Sequence, residues 1–148
     1  MRARTLITRS AVTVLFAAAA TIGMAPTASA ATCSGSSCDG KNPSTYCQDD
    51  AETVKSVTLG QATLQLRYSA SCRAAWGRIT NASYDTRSQF TPSAGVHRNS
   101  DGREYTCAVA TTGTSCFTLM VNDANVTSYA FGEWDSGAQV YSDRTGSY

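Results

Sequence analysis

The chain has 148 residues, with 12 basic and 11 acidic side chains, six cysteines and a single histidine. That length suits one domain. A charge balance this even, with its arginines scattered, lacks the basic face that nucleic-acid binding requires.

Arg2, Arg4 and Arg9 lead into an apolar run at Ala11–Ala20, followed by Pro26 and Ala28-Ser29-Ala30. A positive flank, a short apolar core and an Ala-x-Ala end predict a secretory signal peptide over residues 1–30, cut after Ala30. The run is too short for a membrane anchor, which needs ~20 apolar residues. No stable membrane insertion is expected once the signal is gone, and the product is expected outside the cell. Three arginines leave with it, so residues 31–148 carry nine bases against eleven acids, a formal charge of −2.

All six cysteines fall in that remainder: Cys33, Cys38, Cys47, Cys72, Cys107 and Cys116. An even number in an exported chain reads as three disulfides. Six cysteines allow about fifteen pairings. Spacing favours Cys33–Cys38 and Cys107–Cys116 as local loops, which leaves Cys47–Cys72. There is no C-x-x-C, and His97 has no cysteine at ligand spacing, so neither a metal nor a cofactor is expected.

Residues 31–50 are rich in Ser, Gly, Asp, Asn and Pro and read as a cross-linked loop, with turn chemistry at Asp39-Gly40-Lys41-Asn42-Pro43. The β-branched stretch from Thr53 to Leu59 and the alternating stretch from Ala62 to Tyr68 flank Gly60-Gln61, the pattern of a hairpin. A further strand is expected around Trp76-Gly77-Arg78-Ile79, then a long polar surface loop over residues 81–95. Asn99-Ser100-Asp101-Gly102 turns the chain between Val96-His97-Arg98 and a strand at Glu104–Ala110. Phe117, Leu119 and Val121 alternate in the next strand, and Val126–Phe131 and Ala138–Ser142 complete the set. The expected core includes Leu64, Leu66, Tyr68, Trp76, Phe117 and Leu119. Cys116 has the opposite parity to Phe117, which places the last bridge on the outer face. The fold class is all-β: a small disulfide-stapled sandwich or barrel of about eight short strands, forming one domain over residues 31–148.

Within residues 38–79, CDGKNP is followed by Cys47 with DDAETV, and then by LQLRYSASCRAAWGRI. The joint spacing of Asp39, Pro43, Cys47, Arg67, Tyr68, Ser69, Cys72 and Trp76 resembles an actinobacterial secreted family of unknown function (YjfA-like). That family is marked by a C-x-G-x-x-P opening, a second cysteine and R-Y-S-x-x-C-x-x-x-W. The resemblance covers about a third of residues 31–148 and supports the Cys47–Cys72 pairing. It implies no chemistry, and residues 80–148 lie outside it.

The residues offer little for catalysis. His97 is the one possible general base and no G-x-S-x-G accompanies it, so it reads as a loop histidine. Cysteines in disulfides provide no nucleophile. Glu104, Glu133 and Asp135 are carboxylates of the type a glycosidase pairs across a cleft, but their spacing alone does not bring them together. Asp49-Asp50-Glu52 lacks the ligand pattern of a calcium loop and reads as a solvated turn. Two patches remain as binding candidates. Trp134 between Glu133 and Asp135 suggests an exposed aromatic beside carboxylates, near Tyr129, Phe131 and Tyr141, of which Tyr129 and Phe131 otherwise read as core. Arg67, Arg73 and Arg78 form the second patch, with Arg67 facing outward and Trp76 read as core. The expected function is a non-enzymatic binding or adaptor module with a protein partner in an extracellular or cell-envelope complex. A small polysaccharide hydrolase or lectin-like protein acting on cell-surface glycan is the alternative, and an inhibitor or toxin component a third reading.

Overall fold

The computed structural model describes residues 32–148, so the proposed signal peptide and its cleavage point lie outside the described residues. Nine strands form two antiparallel sheets. The first contains β1 (Ala51–Leu59), β2 (Ala62–Ser69) and β3 (Ala74–Thr80), with the two-residue strands β6 (Cys116–Phe117) and β7 (Val121–Asn122) sharing the free edge of β3. In the second, β5 (Glu104–Ala108), β4 (Ser93–Arg98), β8 (Ser128–Asp135) and β9 (Val140–Arg144) lie in that order. Among the described residues no helix is long and apolar enough to cross a membrane.

The alternation in β2 works as the sequence predicts. Leu64 and Leu66 are wholly buried between the sheets, and Leu59, Ile79, Val96 and Val121 join them. Tyr68 is half-buried against the same core. Gly60 makes the β1–β2 turn with φ of +63°, and a Cβ there would lie 2.6 Å from the Trp134 ring, so both conformation and space call for glycine. The polar loop is shorter than expected, because residues 93–95 already belong to β4.

Three expectations about side-chain direction are corrected. Phe117 and Leu119 are exposed, at 41% and 40%, rather than core. The strand they were assigned to breaks in two. Thr118 bonds Gly77 twice, donating from its N–H at 2.9 Å and accepting on Oγ1 at 3.1 Å, and Thr118 and Met120 are buried where Phe117 and Leu119 are not. The Cys107–Cys116 bridge therefore packs against the core, joining β5 of one sheet to β6 of the other. Trp134 is 7% exposed, inside the sandwich, stacked on Tyr141 and donating from its indole N–H to the Ser83 carbonyl. Along a strand neighbouring residues face opposite ways. The acids beside Trp134 therefore say nothing of its own burial.

A second core lies outside the first sheet. Trp76 points away from the sandwich yet is 2% exposed, because residues 33–47 fold over it. This cap has two four-residue helical turns, Gly35–Cys38 and Pro43–Tyr46, the second opened by Pro43 with the Asn42 side chain accepting from the Ser44 N–H. Cysteine pairing is Cys33–Cys38, Cys47–Cys72 and Cys107–Cys116, with no free thiol. Cys33, Cys38, Cys47, Cys72, Ala74 and Met120 enclose the Trp76 ring. Backbone bonds from Gly35 to Cys72, from Gly40 to Met120 and from Met120 to Lys41 seal the cap's edges.

One ion-pair cluster ties the cap to the second sheet. Arg98, whose side chain is 8% exposed, donates to both oxygens of Asp39 at 2.9 and 3.0 Å and to both of Asp101 at 2.8 and 2.6 Å. Asp39 also accepts the Asn122 N–H at 2.6 Å. Hydrogen bonds from Arg98, chiefly, hold the Asp101 carboxyl below its ordinary value. Burial would raise Asp50, but bonds from Ser69 and Ser71 outweigh it and lower it. Asp135 is lowered by the backbone N–H groups of Gly137, Gln89 and Phe90. Asp123 is raised by burial, against the opposing bond from Ser128.

Two outcomes follow for stability. Chain entropy ranks the bridges at ~3.5, ~3 and ~2 kcal/mol for Cys47–Cys72, Cys107–Cys116 and Cys33–Cys38. Paired replacement by serine should therefore lower the melting temperature most at Cys47 with Cys72 and least at Cys33 with Cys38. For pH, carboxylates with depressed folded values stabilise the protein above the ordinary value of 3.8, and that stability is lost as pH falls through and below it. Asp123 acts with the opposite sign, losing stability as pH rises through its raised value. Acid titration of the unfolding midpoint should show a steep fall below about pH 4, and Asp101→Asn should make that fall shallower.

Candidate functional site

The outer face of the first sheet is divided between the cap and an open cleft of about 180 Å³ beside it. Arg67 and Arg78 line the cleft from the sheet, Ser44 and Gln48 from the cap, and Ser115 and Phe117 from the far edge, with Trp76 between. Strand register makes this assembly. Arg67 lies opposite Trp76, and Arg78 lies opposite both Gln65 on β2 and Phe117 on β6. The two arginines are diagonal neighbours on one face, where long side chains reach each other across roughly 7–8 Å.

Their charge is not met by an ion pair. Among the described residues, neither guanidinium has a carboxylate within ion-pair distance, whereas Arg87, Arg98 and Arg103 all do. Arg67 donates to neutral acceptors, Thr53 Oγ1 at 2.8 Å and the Ala51 carbonyl at 2.9 Å. Those bonds aim its guanidinium without neutralising it. Burial first, and repulsion from Arg78 second, push the Arg67 guanidinium below its ordinary value, while Glu52 attracts it the other way. Gln65, directly across from Arg78, keeps a buried Oε1 with no hydrogen-bond partner, so this cross-strand pair does not satisfy itself. A cleft lined by two guanidiniums, hydroxyls from Ser44 and Ser115 and an apolar rim at Phe117 is suited to an anionic group, to which either fork can donate.

The structure separates the other candidates. Arg73 sits in the β2–β3 turn with a φ of +49° and donates to Asn125, and it does not line the cleft. Asp135 is 3% exposed, its carboxylate occupied by three backbone N–H groups of the 88–90 loop and Gly137, so it is a loop anchor. Glu133 lies on the outer face of the second sheet, in a shallow hollow of about 220 Å³ with Ser93, Phe131, Gly132, Ser142 and Asp143. On that same face Tyr129 and Phe131 point outward. Tyr129 stacks on His97 at 4.7 Å and lies under the Arg144 guanidinium at 5.3 Å, and Phe131 covers Gly95. His97 bonds Glu104 through Nδ1 at 2.7 Å, and among the described residues no hydroxyl or thiol bonds to its ring. Sequence reasoning grouped Arg67 with Arg78 but missed Phe117, Ser44 and Gln48. The signal was present in part, since Phe117 carries the wrong parity if Cys116 is the inward residue.

The profile of a family described as "Protein of unknown function (DUF2690)" matches residues 36–131. The "Uncharacterized protein YjfA" of Bacillus subtilis (strain 168) is 35% identical over 125 residues, covering 74% of this chain and 79% of that protein. No solved structure matches. The YjfA-like resemblance thus holds at the level of a family of unknown function, and this relative comes from Bacillus rather than from an actinobacterium. The family match spans the cap, the arginine cleft and most of both sheets.

Two arginines of similar chemistry should respond oppositely to replacement. Arg78→Gln removes a charge with no ion-pair partner, so stability should stay within about 0.5 kcal/mol of the parent. Arg98→Gln removes the buried cation that holds Asp39 of the cap and Asp101 of the β4–β5 turn, and should cost about 3–5 kcal/mol. Thermal unfolding of the two variants side by side measures the contrast.

Proposed function

Since the chain belongs to that family of unknown function, its role must be read from its own surface, and we propose that it is a secreted, non-enzymatic binding module. Its arginine cleft takes an acidic side chain of a protein partner. The observation that carries this reading is the pair of guanidiniums, Arg67 and Arg78, held in one cleft with no carboxylate within ion-pair distance of either among the described residues. Holding like charges side by side works against the fold, whereas a partner's carboxylate would gain charge-assisted bonds from both. Phe117, 41% exposed at the rim, adds the apolar contact that interface anchors favour.

A second reading has its own observation. Glu133 and Asp143 line one hollow beside Phe131 on the other sheet, an arrangement that suits a sugar ring stacked on an aromatic and bonded by carboxylates. The two readings place the ligand on opposite faces of the sandwich.

Capture from culture medium with immobilised protein distinguishes them. The cleft reading expects a protein retained by the parent, released by raised salt and lost at least tenfold with the Arg67→Gln/Arg78→Gln double variant. Retention that survives in the double variant and disappears with Glu133→Gln would transfer the function to the second sheet.

A further inference from the structure

We propose that Cys33, Cys38, Cys47 and Cys72 form a redox-gated tetrathiolate site for a zinc-type divalent cation. In the oxidised protein these residues are two disulfides, and all four sulfur atoms lie within 4.8 Å of one another. Between the bridges, Cys33 Sγ and Cys47 Sγ are 3.8 Å apart. A tetrahedral ion with metal–sulfur bonds of ~2.3 Å holds its sulfurs about 3.8 Å apart, so that cross-bridge spacing already matches. Each bonded pair must open by roughly 2 Å, about 1 Å per sulfur, and the other cross-bridge spacings, none above 4.8 Å, settle toward the same value. Cys33 and Cys38 also have four intervening residues, within the range of spacings found in zinc knuckles.

The surroundings suit a closed structural site rather than a catalytic one. All four cysteines are buried, at 5% exposure or less, and Ala74, Trp76, Met120, Tyr46 and Ala51 pack around them. No protein carboxylate or histidine joins the group, so a four-sulfur set selects a soft, tetrahedral cation. The remaining bridge, Cys107–Cys116, belongs to the main core and contributes no ligand.

The chemistry balances with a dithiol as reductant. Each bridge accepts two electrons and two protons and becomes two thiols, while one dithiol is oxidised to its own disulfide. The cation then displaces the four thiol protons to solvent and binds four thiolates. The cap thus has two alternative cross-links at one point, covalent when oxidised and metallic when reduced.

The test is to reduce the purified protein with excess dithiothreitol, exchange it into oxygen-free buffer and titrate it with cobalt(II) alone. One equivalent should develop the visible bands of tetrahedral cobalt together with thiolate charge-transfer absorption, and one equivalent of zinc(II) should abolish both. Cys107→Ser/Cys116→Ser should keep the spectrum, and Cys47→Ser should lose its four-sulfur form. A reduced chain that shows no tetrahedral band, folded or unfolded, overturns the proposal. So does a band that survives unchanged in Cys47→Ser.

Discussion

The organisation of the molecule turns on the burial of Trp76. Its strand, β3, is closed in on both faces from Ala74 to Gly77, although the second sheet covers only the inner one. An indole facing outward from a two-sheet sandwich needs a third layer, and residues 33–47 are too short and too polar to supply one by hydrophobic packing alone. Covalent bonds take over that task. Two of the three disulfides lie in this small second core, where their sulfurs also serve as its apolar filling. Asp39 gives the cap a polar anchor, because Arg98 holds it to the second sheet and the Asn122 N–H to the first.

The arginine cleft is a by-product of that cap. The cap covers part of the outer face and stops, so the strand residues next to Trp76 meet an edge rather than open solvent. Arg67 and Arg78 are left beside a wall that carries hydroxyl and amide groups and no acid. Arg87, Arg98 and Arg103 meet aspartates, whereas Arg67 and Arg78, like Arg73 and Arg144, have none within ion-pair distance among the described residues. What sets the cleft apart is that two such arginines line it together.

Much of the fold was legible because β2 has one buried and one outer face, and Leu64 and Leu66 alternate without interruption. Local spacing suggested the two short bridges, whereas Cys47–Cys72, 25 residues apart, was what remained and was supported by the family resemblance. What failed depended on long-range detail. Phe117 and Leu119 alternate as a core strand should, but Thr118 takes Gly77 as its partner and breaks the strand, a hydrogen bond across 41 residues that no local pattern encodes. Trp134 was misread from its acidic neighbours, one of which, Asp135, turned out to be satisfied by backbone N–H groups of a distant loop. Arg67 and Arg78 could be grouped from parity in neighbouring strands. The wall from Ser44 and Gln48 required knowing where the cap would land.

The contacts of the cap run far along the chain. Asp39 meets Arg98 across 59 residues and Asn122 across 83, and Gly40 and Lys41 share backbone bonds with Met120. Proteins are synthesised from the N-terminus, so the cap emerges first while its docking partners are among the later segments to appear. Hairpin β1–β2 can form early from neighbouring residues, but the outward indole of β3 stays uncovered by sealed edges until about the first 122 residues are available. The cap precedes every strand in the chain yet is sealed only once β7 is made, and through that interval a growing chain presents an aromatic ring to whatever receives it.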